Sequence, residues 1–346
     1  MGRAGLNRKT ALATATLTLA AEAPDLDVFS RFGGSAFALN HHRGFTHSFL
    51  GVPLVAAFVV AFMYGIWRLR GRKTHSNLPP RWGLLFFYAC LAGLSHILLD
   101  YTTAYGVRPF WPFSERWISG DFVYIVEPIL LVVLILGLTV PALFSLINQE
   151  IRSGRKEKGP PSPAAAIAAL IAVFAFWGLC DFEHRRALAA LEARTYNGAD
   201  ALRVSAYPYV SNPFRWYAVA ETPAFFAMMN VDSLAPDVDP EGKMQIRYKP
   251  EETPITLAAK KSYLGRVYLS WAVYPFTETE ELPSDPSQPN RPAYVVRLRD
   301  LRYAYPGVTS RAPLGARVLL TRDLRVVDQQ MGRRGGRDGP DEGSQR

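Results

Sequence analysis

The sequence predicts an α-helical polytopic membrane bundle of four to five transmembrane helices, followed by a mostly β extramembrane C-terminal domain. Two observations lead to this fold class. Long apolar stretches are confined to about the first 180 of the 346 residues, and short alternating or β-branched runs broken by Pro and Gly follow them. The mean hydropathy of +0.01 therefore averages a membrane half and a water-facing half.

Four segments are apolar over a length that can span a bilayer, which takes roughly 20 residues. They are Ser48–Trp67, Trp82–Leu99, Phe122–Ile147 and Pro163–Cys180. Pro141 in the third segment predicts a kink. A fifth segment, Thr10–Ala23, is shorter and follows basic residues, a pattern that also fits a cleaved signal peptide. Its Ala/Thr-rich core favours a short, retained membrane helix.

Basic residues orient the predicted bundle. The loop Arg68–Arg81 carries five Lys and Arg residues and the loop Asn148–Ser162 carries four, whereas Asp100–Asp121 carries two. The positive-inside rule therefore places the first two loops in the cytoplasm and the third on the other side. Arg185 and Arg186, just after the last span, count against this orientation. The net charge of +9 is thus read as a topology signal, and no specific nucleic-acid binding is expected.

The region after the spans divides into three predicted parts. Residues 181–197 are expected to form an amphipathic linker helix, residues 198–329 a β-rich extramembrane domain on the non-cytoplasmic side, and residues 330–346 a disordered tail. The predicted strand runs are Val204–Val210, Met244–Tyr248, Val267–Tyr274, Tyr294–Tyr305 and Ala316–Val327.

Histidines and carboxylates are grouped near the ends of the predicted spans. His96 and Asp100 are spaced i and i+4, so they share one face of a helix. Imidazole and carboxylate together are natural ligands for zinc or a similar divalent metal. His42 and His47 are about 140° apart around an ideal helix, so they cannot both point inward from one. We therefore expect His42 in the loop and His47 in the first turn of the following span.

The predicted topology brings four polar stretches to the same face of the membrane. Each stretch stands at the outer end of a span, although up to about 100 residues separate them. The stretches contain Asp25 with Asp27, His42 with His47, His96 with Asp100, and Asp121 with Glu127. An interfacial metal site needs such a convergence, and the count of Lys and Arg was independent of these residues.

Several motifs together resemble the YdjM/YbcI-type family of membrane-bound metal-dependent hydrolases. They are APDLD, HHRGFTHS, HILLDYTTAYG with the following PFS, and GDFVYIVEP. The resemblance covers roughly residues 12–138 and is looser through Tyr207–Trp216. It implies a multi-pass protein of the cell inner (cytoplasmic) membrane with metal ligands at Asp25, Asp27, His42, His47, His96 and Asp100. Many members begin with Thr-His, which this chain lacks, and the resemblance identifies no substrate.

The residues and the resemblance together predict a metal-dependent hydrolase domain over residues 1–180. One or two divalent ions, zinc or alternatively manganese, would activate a water that attacks an ester or phosphoester, including one of a lipid. Glu127 or Asp121 would act as general base, and Arg43 would contact an anionic group. The residues alone leave other roles open: Asp121 as an N-cap, Glu127 as a helix-packing carboxylate and Arg43 as an interfacial anchor.

Two other classes of function compete with the hydrolase. One is a non-enzymatic membrane protein with a structural metal or polar cluster and a partner-binding β domain. The other, a metal or proton transporter, is less favoured because the middle of each span is apolar. The expected partners are membrane lipids and an amphiphilic substrate, and no protein partner is predicted. The sequence has no P-loop, GxSxG or Cys nucleophile motif.

Overall fold

Helices form the N-terminal part of the chain. The computed structural model describes residues 1–74, 78–151, 162–283, 291–305 and 314–331. The α-helices before residue 200 are α1 Ala13–Glu22, α2 Ser35–His41, α3 Gly51–Leu69, α4 Trp82–Thr102, α5 Pro128–Ile151 and α6 Ala164–Glu192. Helices α3, α4 and α6 are long and apolar enough to cross a membrane, and α5 adds the shorter apolar stretch Pro128–Pro141. The predicted helical bundle is confirmed.

Helix α1 lies inside this bundle as a helix of half the usual spanning length. Its residues Ala13, Leu17 and Ala20 are buried in one apolar core with residues of α3 and α4. The Thr10 hydroxyl accepts a hydrogen bond of 2.7 Å from the Arg81 backbone N–H, just before α4. Since α1 and α4 start at the same end and run side by side, the residues after α1 lie beside the last turns of α4.

Two antiparallel sheets form most of the C-terminal part, which confirms the predicted mostly β region. The first contains β1 Arg203–Tyr209, β2 Asn212–Glu221, β3 Phe225–Asp232, β4 Asp237–Val238 and β5 Gln245–Tyr248, in the order β1-β2-β3-β4 with β5 also paired to β3. The second contains β6 Pro275–Glu281, β7 Tyr294–Asp300, β8 Ala316–Leu320 and β9 Val326–Met331, in chain order. Helices α7 Pro254–Lys261 and α8 Tyr263–Trp271 connect the sheets.

Some local predictions were wrong. The expected strand Val267–Tyr274 is largely helix α8, which begins after the Ser262 cap and buries Leu264, Val267, Tyr268 and Trp271. These residues recur every three or four positions, the period of a helix rather than a strand. Strands β2, β3, β4 and β6 and helix α7 were not predicted. Strand β9 continues through Met331, and the rest of the predicted tail lies outside the described residues.

The C-terminal part contacts the loop that follows α4. The Trp271 indole N–H donates to the Tyr105 carbonyl at 3.1 Å, and Arg302 Nη1 donates to the Ala104 carbonyl at 2.6 Å. Helix α2 shares an apolar core with α8 through Leu39 and Leu264. The sheets are therefore held at the end of the bundle where His96 and Asp100 lie.

Candidate metal centre

Two histidines and two aspartates converge at the end of α1 and α4. Asp25 lies in the first turn of the 3-10 segment Ala23–Gly33 that follows α1. His47 ends the 3-10 turn Phe45–His47 before α3. His96 and Asp100 stand one helical turn apart near the end of α4. Each of the four residues has one ligand atom that lies within 4.8 Å of the ligand atoms of the other three.

Five of the six distances between these ligand atoms are close to the edge length of a tetrahedron. His47 Nε2 lies 3.2 Å from His96 Nε2, 3.3 Å from Asp100 Oδ2 and 3.5 Å from Asp25 Oδ1. His96 Nε2 lies 3.4 Å from Asp25 Oδ1 and 3.5 Å from Asp100 Oδ2. A regular tetrahedron with corners about 2.1 Å from its centre, as zinc requires of N and O ligands, has edges of about 3.4 Å. The four atoms therefore fit a divalent ion.

Protein contacts alone leave the cluster unsatisfied. Asp100 Oδ2 is buried and has no hydrogen-bond partner among the described residues. An unpaired buried acceptor costs about 1–3 kcal/mol. The Nε2 atoms of His47 and His96 also face each other at 3.2 Å, so without a cation one of these rings has to carry its proton on Nε2 and donate it to the other. A cation between the four atoms would satisfy all of them.

Neighbouring groups favour ionised carboxylates at this site, although burial opposes their ionisation. The neighbouring His47 holds the pKa of Asp25 below its usual value. Burial of the His47 ring opposes its protonation, but Asp100 and Asp25 raise the pKa of His47 above its usual value. The His47 side chain is completely buried, whereas 54% of the Asp25 side chain is exposed. The cluster is thus open to its surroundings on the side of Asp25.

A tight turn sets the direction of His47. Sequence analysis placed this residue in the first turn of the following span, which is wrong because Ser48 is extended and α3 begins only at Gly51. The Ser48 hydroxyl accepts from the Gly51 N–H at 2.9 Å. A Cβ atom at position 51 would overlap the carbonyl oxygen of Phe45. Only glycine lets the turn and the helix approach this closely.

Asp27 and His42 lie beside the four-atom group. The Asp27 carboxylate oxygens are both 3.1 Å from His42 Nδ1, and Asp27 Oδ2 accepts from the Arg43 backbone N–H at 2.7 Å. Burial opposes ionisation of Asp27, but His42 and the Arg43 N–H lower its pKa. Asp27 Oδ2 also lies 3.5 Å from His47 Nδ1, the nitrogen opposite the cluster. The ligand roles predicted for Asp27 and His42 stay predictions. The contacts of these two residues are of the kind that orients metal ligands from outside the coordination shell.

Arg43 holds one oxygen of Asp100. Its Nη2 donates to Asp100 Oδ1 at 2.7 Å and its Nη1 to the Gly106 carbonyl at 3.0 Å. The guanidinium also stacks over the Tyr105 ring, 4.7 Å from the centroid. Oδ1 is thus occupied, and Oδ2 is left for the cluster. The predicted contact of Arg43 with an anionic substrate stays a prediction.

Glu127 and Asp121 are placed elsewhere in the described structure. The Glu127 carboxylate accepts from the Ile129 N–H at 3.2 Å and from the Ser211 N–H at 3.0 Å, so it connects the start of α5 to the β1–β2 turn. Burial raises the pKa of Asp121 to about 6, and Arg302 partly offsets this effect. Neither carboxyl has a described contact with the four ligand atoms. The predicted general-base role therefore has no geometric support.

Arg108 was missed as a residue of this site. Its side chain is buried, and Nη2 donates to the carbonyls of Asn40 and His42 at 2.7 Å each. The guanidinium also lies over the Trp117 ring, 4.7 Å from the centroid. Arg108 thus fixes the backbone turn that carries His42. Sequence reasoning counted it only as a loop charge, and the nearby tryptophans were the sole hint.

Two cavities flank Asp27. One of about 470 Å³ is lined by residues that include His42, Tyr105, Leu314 and Met331. The other, of about 420 Å³, is lined by residues that include Thr46 and Arg108. A molecule of moderate size thus has room beside Asp27, while Asp25, His47, His96 and Asp100 line neither of these two cavities.

Comparison with known proteins identifies the family. A family model described as YdjM inner membrane protein matches residues 1–185, more than half of the chain. The chain belongs to the YdjM inner membrane protein family. All four converging ligand residues fall within the part that matches this YdjM family.

A curated relative and the solved structures add little on function. The chain is similar to a protein of Bacillus subtilis (strain 168) whose name is "Uncharacterized protein YfhP", with 26% identity over 111 residues. The aligned part is 32% of this chain and 31% of that protein, so the chain spans about a third of its relative. No solved structure matches.

Proposed function

We propose that this chain is an integral membrane metal-dependent hydrolase that cleaves an ester or phosphoester of an amphiphilic substrate. The tetrahedral arrangement of Asp25, His47, His96 and Asp100 carries the proposal. A bound divalent ion, zinc or alternatively manganese, would act as a Lewis acid and lower the pKa of a water molecule. The alternative, a structural metal in a non-enzymatic protein, predicts a closed site with no adjoining cavity.

The protein side chains divide the remaining tasks. His47, His96, Asp25 and Asp100 hold the ion, and Arg43 keeps Asp100 Oδ1 away from it. Asp27 accepts the Nδ1 proton of His42, which leaves Nε2 of that ring as the nitrogen that can hydrogen-bond a substrate.

Access to the site bears on the choice between catalysis and a structural metal. Four protein ligands fill a tetrahedral shell, so a reacting water needs a fifth position, which zinc accepts in some catalytic sites. Asp25 is half-exposed, and the cavity of about 470 Å³ adjoins Asp27 and His42. The exposure of Asp25 leaves one side of the cluster open to its surroundings, and the cavity offers space one residue further away, next to Asp27 and His42.

Metal analysis of purified protein tests the first part of the proposal. We expect at least one equivalent of zinc or manganese in the wild type, and a near-complete loss in the His96→Ala/Asp100→Ala double variant. Because Asp100→Ala leaves Arg43 buried without its partner, the single variant His96→Ala provides a second test. His41→Ala is the matched control, since His41 is exposed and bonds only the Phe37 carbonyl in the described structure. Equal and near-zero metal in wild type and double variant would refute the proposal.

Hydrolysis assays test the second part. Wild type reconstituted with metal would be incubated with carboxylate esters, phosphomonoesters and phosphodiesters, each with a short and a long alkyl chain. We expect metal-dependent release of product from at least one class, lost in His96→Ala and retained in His41→Ala. Metal binding without hydrolysis of any class would favour the structural role.

The orientation proposed for the bundle places the site and the C-terminal sheets on the non-cytoplasmic side. The basic loops of the sequence support this orientation. An alkaline phosphatase fusion at the C-terminus should then be active in cells. An active cytoplasmic reporter at the same position would reverse the orientation.

A further inference from the structure

The metal centre lies at the same level along the helix bundle as a group of exposed apolar side chains. Helix α4 exposes Leu94, Leu98 and Leu99 on either side of His96. Leu26 next to Asp25 and Phe49 just after His47 are also exposed. In a membrane protein, exposed side chains of this kind face lipid. The ligands therefore lie where the outer surface of the bundle is still apolar.

The position of His96 along α4 also places the metal centre at the level of the apolar core of the bilayer. His96 is 14 residues beyond Trp82, where α4 begins, which is about 21 Å along the helix axis. The hydrocarbon core of a bilayer is about 30 Å thick. With the start of α4 at one boundary of the core, His96 lies within the far third of the core rather than in water. At this depth a substrate can reach His96 from the lipid phase.

The larger cavity combines an apolar wall with a polar end. Its apolar lining includes Val28, Leu39, Leu314 and Met331, and its polar end is formed by Asp27 and His42 beside the metal ligands. The acyl chain of a lipid would lie along the apolar wall, and the lipid headgroup would lie at the polar end. The segment Ala23–Gly33, which forms one side, also exposes Phe29 and Phe32, the latter by 90%.

Arg31 supplies the charge at the edge of this cavity. It lines the cavity and is exposed, and its guanidinium forms no hydrogen bond or ion pair with any residue that the structure describes. By contrast, Arg43 and Arg108 are buried and engaged with Asp100 or with backbone carbonyls. Arg31 is thus an exposed cation at the edge of the cavity that a phosphate group can approach.

We propose that the substrate is a membrane lipid with an anionic phosphate headgroup, which enters the larger cavity laterally and binds Arg31 through its phosphate. This inference rests on the hydrolase proposed above for its catalytic consequence, but the binding it describes requires no turnover. The acyl chain lies against Val28, Leu39 and Leu314, and the headgroup lies between Arg31 and the metal ligands.

Photo-crosslinking of the full chain in nanodiscs tests this inference. The probes are phosphatidic acid and phosphatidylcholine with the same diazirine-bearing acyl chain, and mass spectrometry locates the labelled peptides. We expect labelling of peptides that contain residues 28–39, stronger for phosphatidic acid. Arg31→Gln should reduce that labelling about fivefold, which corresponds to about 1 kcal/mol for one basic residue at a membrane surface. Equal labelling by both probes, or no effect of Arg31→Gln, would overturn the inference.

Matched variants separate the cavity from the general surface. Ala38→Phe fills the cavity and should abolish labelling of residues 28–39 by both probes. Ala57→Phe, at an exposed position of α3, and Arg116→Gln, at an exposed position away from the cavity lining, should leave it unchanged. Retained labelling in Ala38→Phe would place the lipid elsewhere and overturn the inference. Complete displacement by excess inorganic phosphate would assign the site to free phosphate and would also overturn it.

The two proposals fail in distinguishable ways. If the hydrolase proposal alone is wrong, wild type labels with the preference for phosphatidic acid but hydrolyses no ester class with any metal. If the lipid inference alone is wrong, metal-dependent hydrolysis of short esters persists while the labelling preference and the Arg31→Gln effect are absent.

Discussion

Asp27→Asn should weaken divalent-metal binding about tenfold without abolishing it. Carboxylates that orient a metal-bound histidine contribute about 10–100-fold to metal affinity. Asp27 Oδ2 is 3.5 Å from His47 Nδ1, longer than the 2.7–3.2 Å typical of a hydrogen bond, and the Thr46 hydroxyl is closer to that nitrogen at 3.1 Å, so the smaller effect is expected. Tenfold corresponds to about 1.4 kcal/mol. Asparagine keeps an oxygen for the Arg43 N–H, so the turn itself should persist.

Competition with a chromogenic chelator at fixed pH measures this affinity. Asp25→Ala removes a ligand at a half-exposed position and should lose far more affinity than Asp27→Asn. Asp323→Asn, at an exposed position of the second sheet region, is the control and should match the wild type. Loss of metal in Asp27→Asn as complete as in Asp25→Ala would show that Asp27 is itself a ligand and would refute the orientation argument.

Three further predictions concern the structure around the site. Gly51→Ala should cost about 1–3 kcal/mol of stability and lower the metal content, because the new Cβ overlaps the preceding turn. Gly65→Ala, which has open space around it, is the control in thermal unfolding. Equal effects of the two substitutions would contradict the prediction. Asp121→Asn should raise the free energy of unfolding by up to about 3 kcal/mol at pH 8 but little near pH 4. The pKa of Asp121 in the folded protein is about 6, above the usual 3.8, so wild-type stability falls as the pH rises from about 4 to 6. A stability difference that does not change with pH would refute this prediction. Arg302→Met leaves Asp300 buried without its 2.8 Å ion-pair partner and should cost about 3–5 kcal/mol, measured by thermal unfolding; unchanged stability would contradict the prediction.

The helical half was predictable because its signals are local or simply periodic. Apolar length identified the helices, and helix spacing placed His96 and Asp100 on one face. Counting spans brought Asp25 and His47 to the same end, where the structure places them together with His96. Each of these inferences needs only the direction of a helix and the position of a residue along it.

Side-chain roles were not predictable because they depend on contacts between distant segments. Asp27 lies next to His42 in the predicted ligand set, yet only the packed turn shows that it faces the Nδ1 side of His47. Glu127 is a candidate base from the sequence, and only the structure shows that its oxygens accept from backbone N–H groups, one of them from Ser211, 84 residues away. Arg108 likewise acts through carbonyls 66 and 68 residues earlier.

The sequence by itself determined a membrane helix bundle followed by β structure, the family resemblance, and the polar stretches from which the metal centre is built. Only the tertiary structure decided which four atoms converge, how Arg43 divides the two oxygens of Asp100, and where the C-terminal sheets dock. The reason is physical: hydrophobic periodicity specifies an element and its buried face, whereas the direction of a polar side chain depends on hydrogen-bond partners that folding brings from elsewhere in the chain.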